Sequence, residues 1–398
     1  MSIQSSSINS NDKIKIIVYR GTKQVGGCCT VIEFGNSKIA IDIGSPLPGT
    51  NQEQLIIEGI TEGTPNCDAV LLTHYHGDHI GECSNILDGI PIYACSLCAE
   101  IMIAYQNHMA NHIDNPIDAN KIVPFSFNQK LVIGDFTIFP IESDHSAVGS
   151  VMFLIEVGGK RVLHTGDFRL HGCRYEKLME QINEIGNIDL LITEGTSLSR
   201  NEDDPWNEDR VKNEMEHLFK KYKYCFVQCS STNLDRLEII SRVVERGKYF
   251  IVSPFIKKLF DISEKYGVNS FNKPLIDGDN LRLEEKGFTY ILRNDSQSKK
   301  RMSYYFNKYP ENSCYIYSMW KGYMEMDSNK DFYNIANGKV QHVHSSGHVT
   351  KEDLNSFIKL VDPNKIIVIH TENNGYYSDI LYRDRIAGIT DKEEFIVT

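Results

Sequence analysis

The chain has 398 residues, 41% hydrophobic and 24% charged, which is enough to bury a sizeable core and to divide into two domains. Against 42 Lys and Arg stand 53 Asp and Glu, a formal charge of −11, which excludes a generally basic, nucleic-acid-coating surface. Nucleic-acid binding would need a locally basic groove, or positive potential supplied by metal ions. The ten cysteines, at 28, 29, 67, 83, 95, 98, 173, 225, 229 and 314, form no disulfide framework, and no apolar run approaches the roughly 18 residues of a membrane span.

In chain order, the first dozen residues are polar and lack the basic and apolar regions of a secretory leader, so a cytoplasmic protein without a membrane partner is expected. Strands are expected over Ile14–Tyr19, Cys29–Phe34 and Lys38–Asp42, punctuated by Gly21, Gly26-Gly27 and the turn Ile43-Gly44-Ser45-Pro46. A buried strand follows at Ala69–Thr73, a helix at Ser96–Asn111, and strands at Leu131–Ile133, Phe136–Phe139 and Ser150–Val157. Gly158-Gly159 then turns a hairpin into Arg161–His164. Cys95-Ser96-Leu97-Cys98 reads as ordinary semi-buried thiols near a helix start rather than a redox or zinc pair. This β-rich section suits two sheets covered by helices.

The acidic stretch Asn201–Pro205 reads as a linker. Beyond it, helices at Asn207–Lys221, Leu234–Arg246 and Ile256–Tyr266 alternate with strands at Tyr224–Val227 and Tyr249–Val252, the signature of a parallel sheet. Val268–Gln341 carries little pattern apart from a strand at Ser313–Tyr317. Its one basic cluster, Lys299-Lys300-Arg301, reads as a solvated helix face, with a phosphate contact as the functional alternative. Thr350 suits an N-cap for the helix Lys351–Leu360, and the strand Lys365–Ile369 ends at His370. The expected class is α/β, one domain interrupted by another: 1–200, an insert over 201–340, and a return over 341–398.

The chemistry concentrates after the strand at Ala69–Thr73, where His74, His76, Asp78 and His79 fall within six residues. A strand-end loop is where a rigid scaffold presents several ligands at one point. Imidazoles with a carboxylate suit zinc, with manganese admitted if further carboxylates join. On an extended backbone His74 and His76 point the same way while Asp78 and His79 turn off, which favours two adjacent metal positions. Partners are then expected at other strand ends: His145 within Ser143-Asp144-His145-Ser146, Asp167 after His164-Thr165-Gly166, and His370.

His74-x-His76-x-Asp78-His79, His145 and Thr165-Gly166-Asp167, preceded by the acid Asp42, resemble the ordered motifs of the metallo-β-lactamase superfamily. Leu191-Ile192-Thr193-Glu194-Gly195-Thr196 resembles motif A of its β-CASP group, the nucleic-acid-processing branch that includes ribonuclease J and the mRNA 3′-end cleavage nuclease. Ser345-Ser346-Gly347-His348 resembles motif B, and Val368-Ile369-His370-Thr371-Glu372 motif C. The stretch from Cys229 to Arg236 resembles a cap segment that contacts substrate. The resemblance runs from about Ile14 to Glu372, apart from Val268–Gln341. It implies a metallo-β-lactamase αββα sandwich with an inserted parallel α/β β-CASP cap.

It further implies a metal-dependent ribonuclease, acting on single-stranded RNA in the cleft between catalytic domain and cap through a two-metal-activated hydroxide. His74, His76 and His145 would hold one metal; Asp78, His79 and His370 the other; Asp167 would bridge. His348 would donate a proton to the leaving oxygen or stabilise the phosphorane-like transition state, oriented by Glu194, with Asp78 as a further catalytic residue. Ser230, Ser231, Asn233, Arg236, Ser346 and Gly347 would contact RNA. The inserted segment is short for the group and little chain follows motif C, so the oligomerisation a C-terminal domain gives some relatives is not carried over, although a homo-oligomer is compatible. The rival expectations are a small-molecule or nucleotide phosphodiesterase with the same metal site, and a non-catalytic RNA-binding subunit.

Overall fold

A computed structural model of the chain describes residues 13–48, 50, 53–199, 206–277, 282–372 and 376–398. The polar first dozen residues and the linker expected at 201–205 lie outside the described residues. The chain divides into two compact units, one built from 1–170, 174–202 and 348–398, the other from 171–173 and 203–347.

The first unit contains two mixed sheets. One runs in spatial order Glu394–Val397, Ile14–Arg20, Cys29–Phe34, Ser37–Ile41, Ala69–Leu71, Ile92–Cys95 and Ile122–Phe125. Its first four strands pair antiparallel and the rest join in parallel. The other runs Lys365–Ile369, Leu190–Glu194, Lys160–His164, Val151–Val157, Phe136–Glu142 and Leu131–Ile133. Here the first three strands are parallel and the remainder antiparallel. The register sets Leu163 beside Leu191 and Glu194 beside Ile369, so the chain leaves these parallel strands at one end of the sheet, where ligand-bearing loops collect in α/β proteins.

Helical spacing explains how the second sheet is covered. Leu178 and Ile182 of the helix Tyr175–Glu184 lie four residues apart, and Leu354, Phe357, Ile358 and Val361 of Lys351–Val361 follow the i, i+3, i+4, i+7 pattern. Both stripes pack on Leu154, Leu163, Leu191 and Ile366 of the sheet. Thr350 caps the second helix, its hydroxyl accepting from Asp353 N–H at 3.1 Å. Between the sheets, Phe125 meets Phe153 edge to face at 6.1 Å.

The second unit is an all-parallel sheet in the order Leu275–Ile276, Tyr249–Val252, Phe288–Ile291, Tyr224–Gln228, Ser313–Tyr317 and Val340–His342. Period-two alternation places Tyr224 and Phe226, Phe288 and Tyr290, and Tyr315 and Tyr317 in one aromatic core. Met302, Tyr305 and Phe306 of the helix Ser296–Lys308 and Phe332 of Asp327–Ile335 fill it. The stretch without a readable pattern is therefore ordinary βα structure. The chain returns to the first unit at His348 rather than at Gln341, because Val340–His342 pairs as the edge of the parallel sheet.

This is the expected α/β class, two mixed sheets with a separate parallel one. Strands Cys29–Phe34, Leu131–Ile133, Tyr249–Val252, Ser313–Tyr317 and Lys365–Ile369 lie where the sequence predicts them. Strands Ile92–Cys95, Ile122–Phe125 and Glu394–Val397 are additions. Cys95 and Cys98 are buried thiols whose pKa burial pushes up, to about 11 for Cys95, consistent with inert packing. Among the described residues no helix is long and apolar enough to cross a membrane.

Candidate metal centre

After Ala69–Leu71 the backbone stays extended through His76, which leads into a single helical turn, Gly77–Ile80. The change from extended to helical backbone sets Asp78 and His79 in a second donor group beside the first, with the His79 ring 4.1 Å from that of His74. Backbone hydrogen bonds fix this loop to two others. Cys28 N–H donates to the Asp78 carbonyl at 3.0 Å, Ile43 N–H to His79 at 2.8 Å and Ser45 N–H to Gly77 at 3.0 Å. A Cβ at Gly44 would stand 1.8 Å from the Asp78 carbonyl oxygen, so glycine is required there.

Two groups of donors result. His74, His76 and His145 converge, with His74 Nε2 and His145 Nε2 each 3.2 Å from His76 Nδ1. Nitrogens on a tetrahedral zinc, at about 2.0–2.1 Å from the ion, would stand about 3.3 Å apart. Beside them lie Asp78, His79, Asp167 and His370. His79 Nε2 is 3.1 Å and His370 Nε2 3.7 Å from Asp167 Oδ2, and His370 Nε2 is 3.2 Å from Asp78 Oδ2. Asp167 Oδ2 also stands 4.0 Å from His74 Nε2, so it faces both groups.

Hydrogen bonding sets the tautomers. Asp42 accepts from Thr73 N–H at 2.8 Å and from the Thr73 hydroxyl at 2.7 Å. It also accepts from His79 Nδ1–H at 2.8 Å. Because the Thr73 hydroxyl donates to Asp42, it accepts from His74 Nδ1–H at 3.0 Å. One buried carboxylate therefore directs the Nε2 lone pairs of His74 and His79 inward, as outer partners of metal-binding imidazoles do. Thr196 Oγ1 lies 2.7 Å from His370 Nδ1 and plays the same part there. Asp42 and His370 both have left-handed backbones, φ 60° and 52°, which side chains other than glycine adopt where surrounding structure enforces it.

Electrostatics agree with a cation site. Without a metal, burial and then the neighbouring imidazoles push His74 well below its ordinary pKa, and burial foremost brings His76 down to about 4. Burial opposes charge on His79, yet Asp167 and Asp42 hold its pKa well above the usual range. Burial likewise opposes ionisation of Asp78 and Asp167, but His370 and His79 pull both below the usual carboxylate range. Neutral imidazoles on one side and ionised carboxylates on the other are the donor chemistry of a divalent metal, so the residues present fit one.

His348 is half-buried at the rim, with Nδ1 3.0 Å from Glu194 Oε2 and 3.6 Å from Asp167 Oδ2. Glu194 is fully buried, and its Oε1 accepts from Phe168 N–H at 2.7 Å. Two residues that the sequence reading passed over hold the loop carrying His145. Asp144 and Arg169, both fully buried, pair at 3.0 Å, and Arg169 N–H donates to the Asp144 carbonyl at 2.7 Å. The acid adjoining His145 in sequence is the only signal that could have found them.

Candidates in the second unit fare differently. Arg236, expected to contact phosphate, is fully buried. It forms a two-pronged pair with Glu208 at 2.8 and 3.1 Å and also donates to Ser345 Oγ at 3.0 Å and to Ser318 Oγ. Asn233 accepts from Arg236 N–H at 3.1 Å, capping the helix Leu234–Val243. These two are structural, which corrects the expectation of substrate contact: the strand-to-helix junction satisfies its own donors internally. Ser230 and Ser231 are half-buried at the end of the central strand, and Ser230 bonds to Thr232 Oγ1 at 3.0 Å. Ser346 and Gly347 are half-buried, the Ser346 carbonyl accepting from His171 Nε2–H at 3.1 Å. In the basic cluster, Lys299 pairs with Asp331 at 2.7 Å, Arg301 pairs with Asp277, and Lys300 is exposed.

A beta-lactamase superfamily domain model matches residues 45–219, and a Zn-dependent metallo-hydrolase RNA specificity domain model matches residues 336–375. Ribonuclease J of Helicobacter pylori is 20% identical over 92% of this chain and 57% of its own length. Ribonuclease J of Sinorhizobium meliloti is 21% identical over 83% of this chain and 62% of its own. An endoribonuclease of Mycosarcoma maydis is 26% identical over 54% of this chain and 26% of its own. The chain thus spans under two-thirds of the length of these relatives. A crystal structure of a protein of unknown function from Enterococcus faecalis shares the fold, with a TM-score of 0.75 at 17% identity over 96% of this chain and 100% of that one. With its ligand groups gathered at the strand ends of two mixed sheets, the chain belongs to the metallo-β-lactamase superfamily, in the branch that carries the RNA specificity domain, and is a distant homologue of the ribonucleases J.

Proposed function

We propose that the chain is a two-metal ribonuclease that hydrolyses phosphodiester bonds of single-stranded RNA. His74, His76 and His145 would hold one divalent metal and Asp78, His79 and His370 a second, with Asp167 facing both groups; the histidine-rich donor set would favour zinc over manganese. Such a pair supplies Lewis acidity and lowers the pKa of water at neutral pH.

The observation that carries the reading is the Glu194–His348 pair, 3.0 Å apart and set against Asp167 at the edge of the ligand groups. Glu194 accepts a hydrogen bond from His348 Nδ1–H and favours the imidazolium, so Nε2–H is the group that would deliver a proton to the leaving ribose oxygen. A leaving alkoxide needs such a donor, and a positioned imidazole contributes about 10²–10⁴-fold. The match to an RNA specificity domain spans both His348 and His370 and supports RNA as the polymer. In a second reading the substrate is a nucleotide or other small phosphodiester. It is favoured by Arg236, Lys299 and Arg301, the phosphate-binding candidates of the second unit, all engaging acids of the same unit.

End-labelled RNA oligomers carrying a 5′ monophosphate or a 5′ hydroxyl test both readings. Cleavage that chelation abolishes and added zinc or manganese restores is expected, with the product ladder giving endo- or exonucleolytic action. Intact RNA together with turnover of a small phosphodiester would select the second reading, and metal-free protein inert to both would remove the first.

A further inference from the structure

One donor at the second ligand group has no part in the roles above. Cys28 Sγ and one ring nitrogen each of His79 and His370 lie within 4.8 Å of one another, and Cys28 is 2% exposed. The residue is fixed to the ligand loop on both sides. Its N–H donates to the carbonyl of Asp78, and its own carbonyl accepts from Gly44 N–H, each at 3.0 Å. Gly21 keeps the space beside it open, since a Cβ there would touch both Cys28 Sγ and the His370 backbone nitrogen at 3.4 Å. Cys29, the next residue, starts the strand Cys29–Phe34, and of the two adjacent thiols it is Cys28 that joins this donor group.

We propose that Cys28 is a thiolate ligand of the second metal position, alongside His79 and His370, and that it selects zinc over manganese there. The inference rests on the metal-centre reading above. On tetrahedral zinc, with Zn–S about 2.3 Å and Zn–N about 2.0–2.1 Å, sulfur and nitrogen stand about 3.6 Å apart. A closing movement of about 1.5 Å at most brings the three donors to tetrahedral spacing, about 3.6 Å from sulfur to nitrogen and about 3.3 Å between nitrogens. Coordination forms a bond from sulfur to the metal and breaks the S–H bond, and the proton passes to solvent. Thiolate favours zinc and cobalt, whereas carboxylate and water suit manganese, so one sulfur shifts the preference of a site otherwise able to take either.

The test is to titrate metal-free protein with Co²⁺ alone and record absorption spectra. A thiolate-to-cobalt charge-transfer band in the near ultraviolet is expected as the second equivalent binds, absent in Cys28→Ser and retained in Cys29→Ser. Zinc-against-manganese competition at that position should move about 10–100-fold toward manganese in Cys28→Ser, the scale of losing a tuning partner. Should Cys28→Ser fail to fold, zinc-edge X-ray absorption of the unaltered protein decides: a sulfur shell at about 2.3 Å is expected. Cobalt or zinc bound without a sulfur signal overturns the proposal while leaving the metal centre standing. Protein that binds neither ion at either group overturns both.

Discussion

Replacing Arg236 by alanine separates a structural role from a substrate-binding one. Its guanidinium is fully buried and holds the carboxylate of Glu208, whose side chain is 6% exposed. The Ser345 hydroxyl donates to the same carboxylate at 2.7 Å, but a hydroxyl cannot neutralise it. Truncation would leave a buried charge without its partner, which costs about 3–5 kcal/mol. The same change withdraws a donor from Ser318 and Ser345 and empties the volume of a large side chain. For a unit of this size about 2–4 °C of Tm accompanies each kcal/mol, so a fall of roughly 6–20 °C is expected. Thermal unfolding followed by circular dichroism measures it, beside KM for RNA in conditions where the variant stays folded. Joint replacement, Arg236→Met with Glu208→Gln, should recover most of the loss, because a neutral pair of similar volume removes the unpaired charge. An Arg236→Ala protein with unchanged Tm but a raised KM would refute the buried-pair argument and return this residue to the RNA-binding surface.

His370→Ala should lose bound metal together with activity, whereas His348→Ala should keep its metal and lose about 10²-fold or more in kcat; elemental analysis beside kinetics distinguishes them, and metal loss from the His348 variant would make that residue a ligand. Asp42→Asn, which weakens the acceptor that orients His74 and His79, should reduce metal affinity about 10–100-fold with the fold intact, and chelator competition showing no change would remove its orienting role. Burial lowers the pKa of His164 to about 4, against about 6.5 in an unfolded chain, so the unfolded state takes up the proton first. Its contribution to stability is therefore complete above about pH 6.5 and is lost as the pH falls toward 4, by up to about 3 kcal/mol. Urea stability of metal-free His164→Gln should vary less across that window, and an unaltered slope would contradict the assignment.

How far such a site can be read from sequence depends on which interactions are local. Four candidate ligands within six residues after an apolar strand announce a metal, and their order with the later histidines and aspartate carries the family. The strand-end placement of His145, Asp167 and His370 follows from runs such as Lys365–Ile369, whose four apolar residues are bounded by a turn and a histidine. What escapes is whatever arises from loops meeting across the fold. The Thr73 relay to Asp42, the Asp144–Arg169 pair and the approach of Cys28 to His79 join segments 25 to 51 residues apart. No periodicity encodes these contacts. Much of the second unit is obscure for another reason. Strands such as Phe288–Ile291 are four residues long and buried on both faces, so they present no alternation to count.

Arg236 shows why residue type alone misleads. Hydroxyls, an asparagine and an arginine at a strand-to-helix junction are the groups that hold a phosphate, and they are equally the groups that cap a helix and close a buried ion pair. The deciding quantity is whether an acid from elsewhere in the chain reaches the guanidinium first. Glu208, 28 residues upstream, does so, and the junction is saturated from within. His348 presents the converse case. Its Glu194 partner is fully buried while its own side chain is 21% exposed, so the pair keeps one face toward solvent beside the ligand groups. Both side chains have a carboxylate partner, but only the histidine combines that partner with access, and access is what a group needs to exchange a proton with substrate.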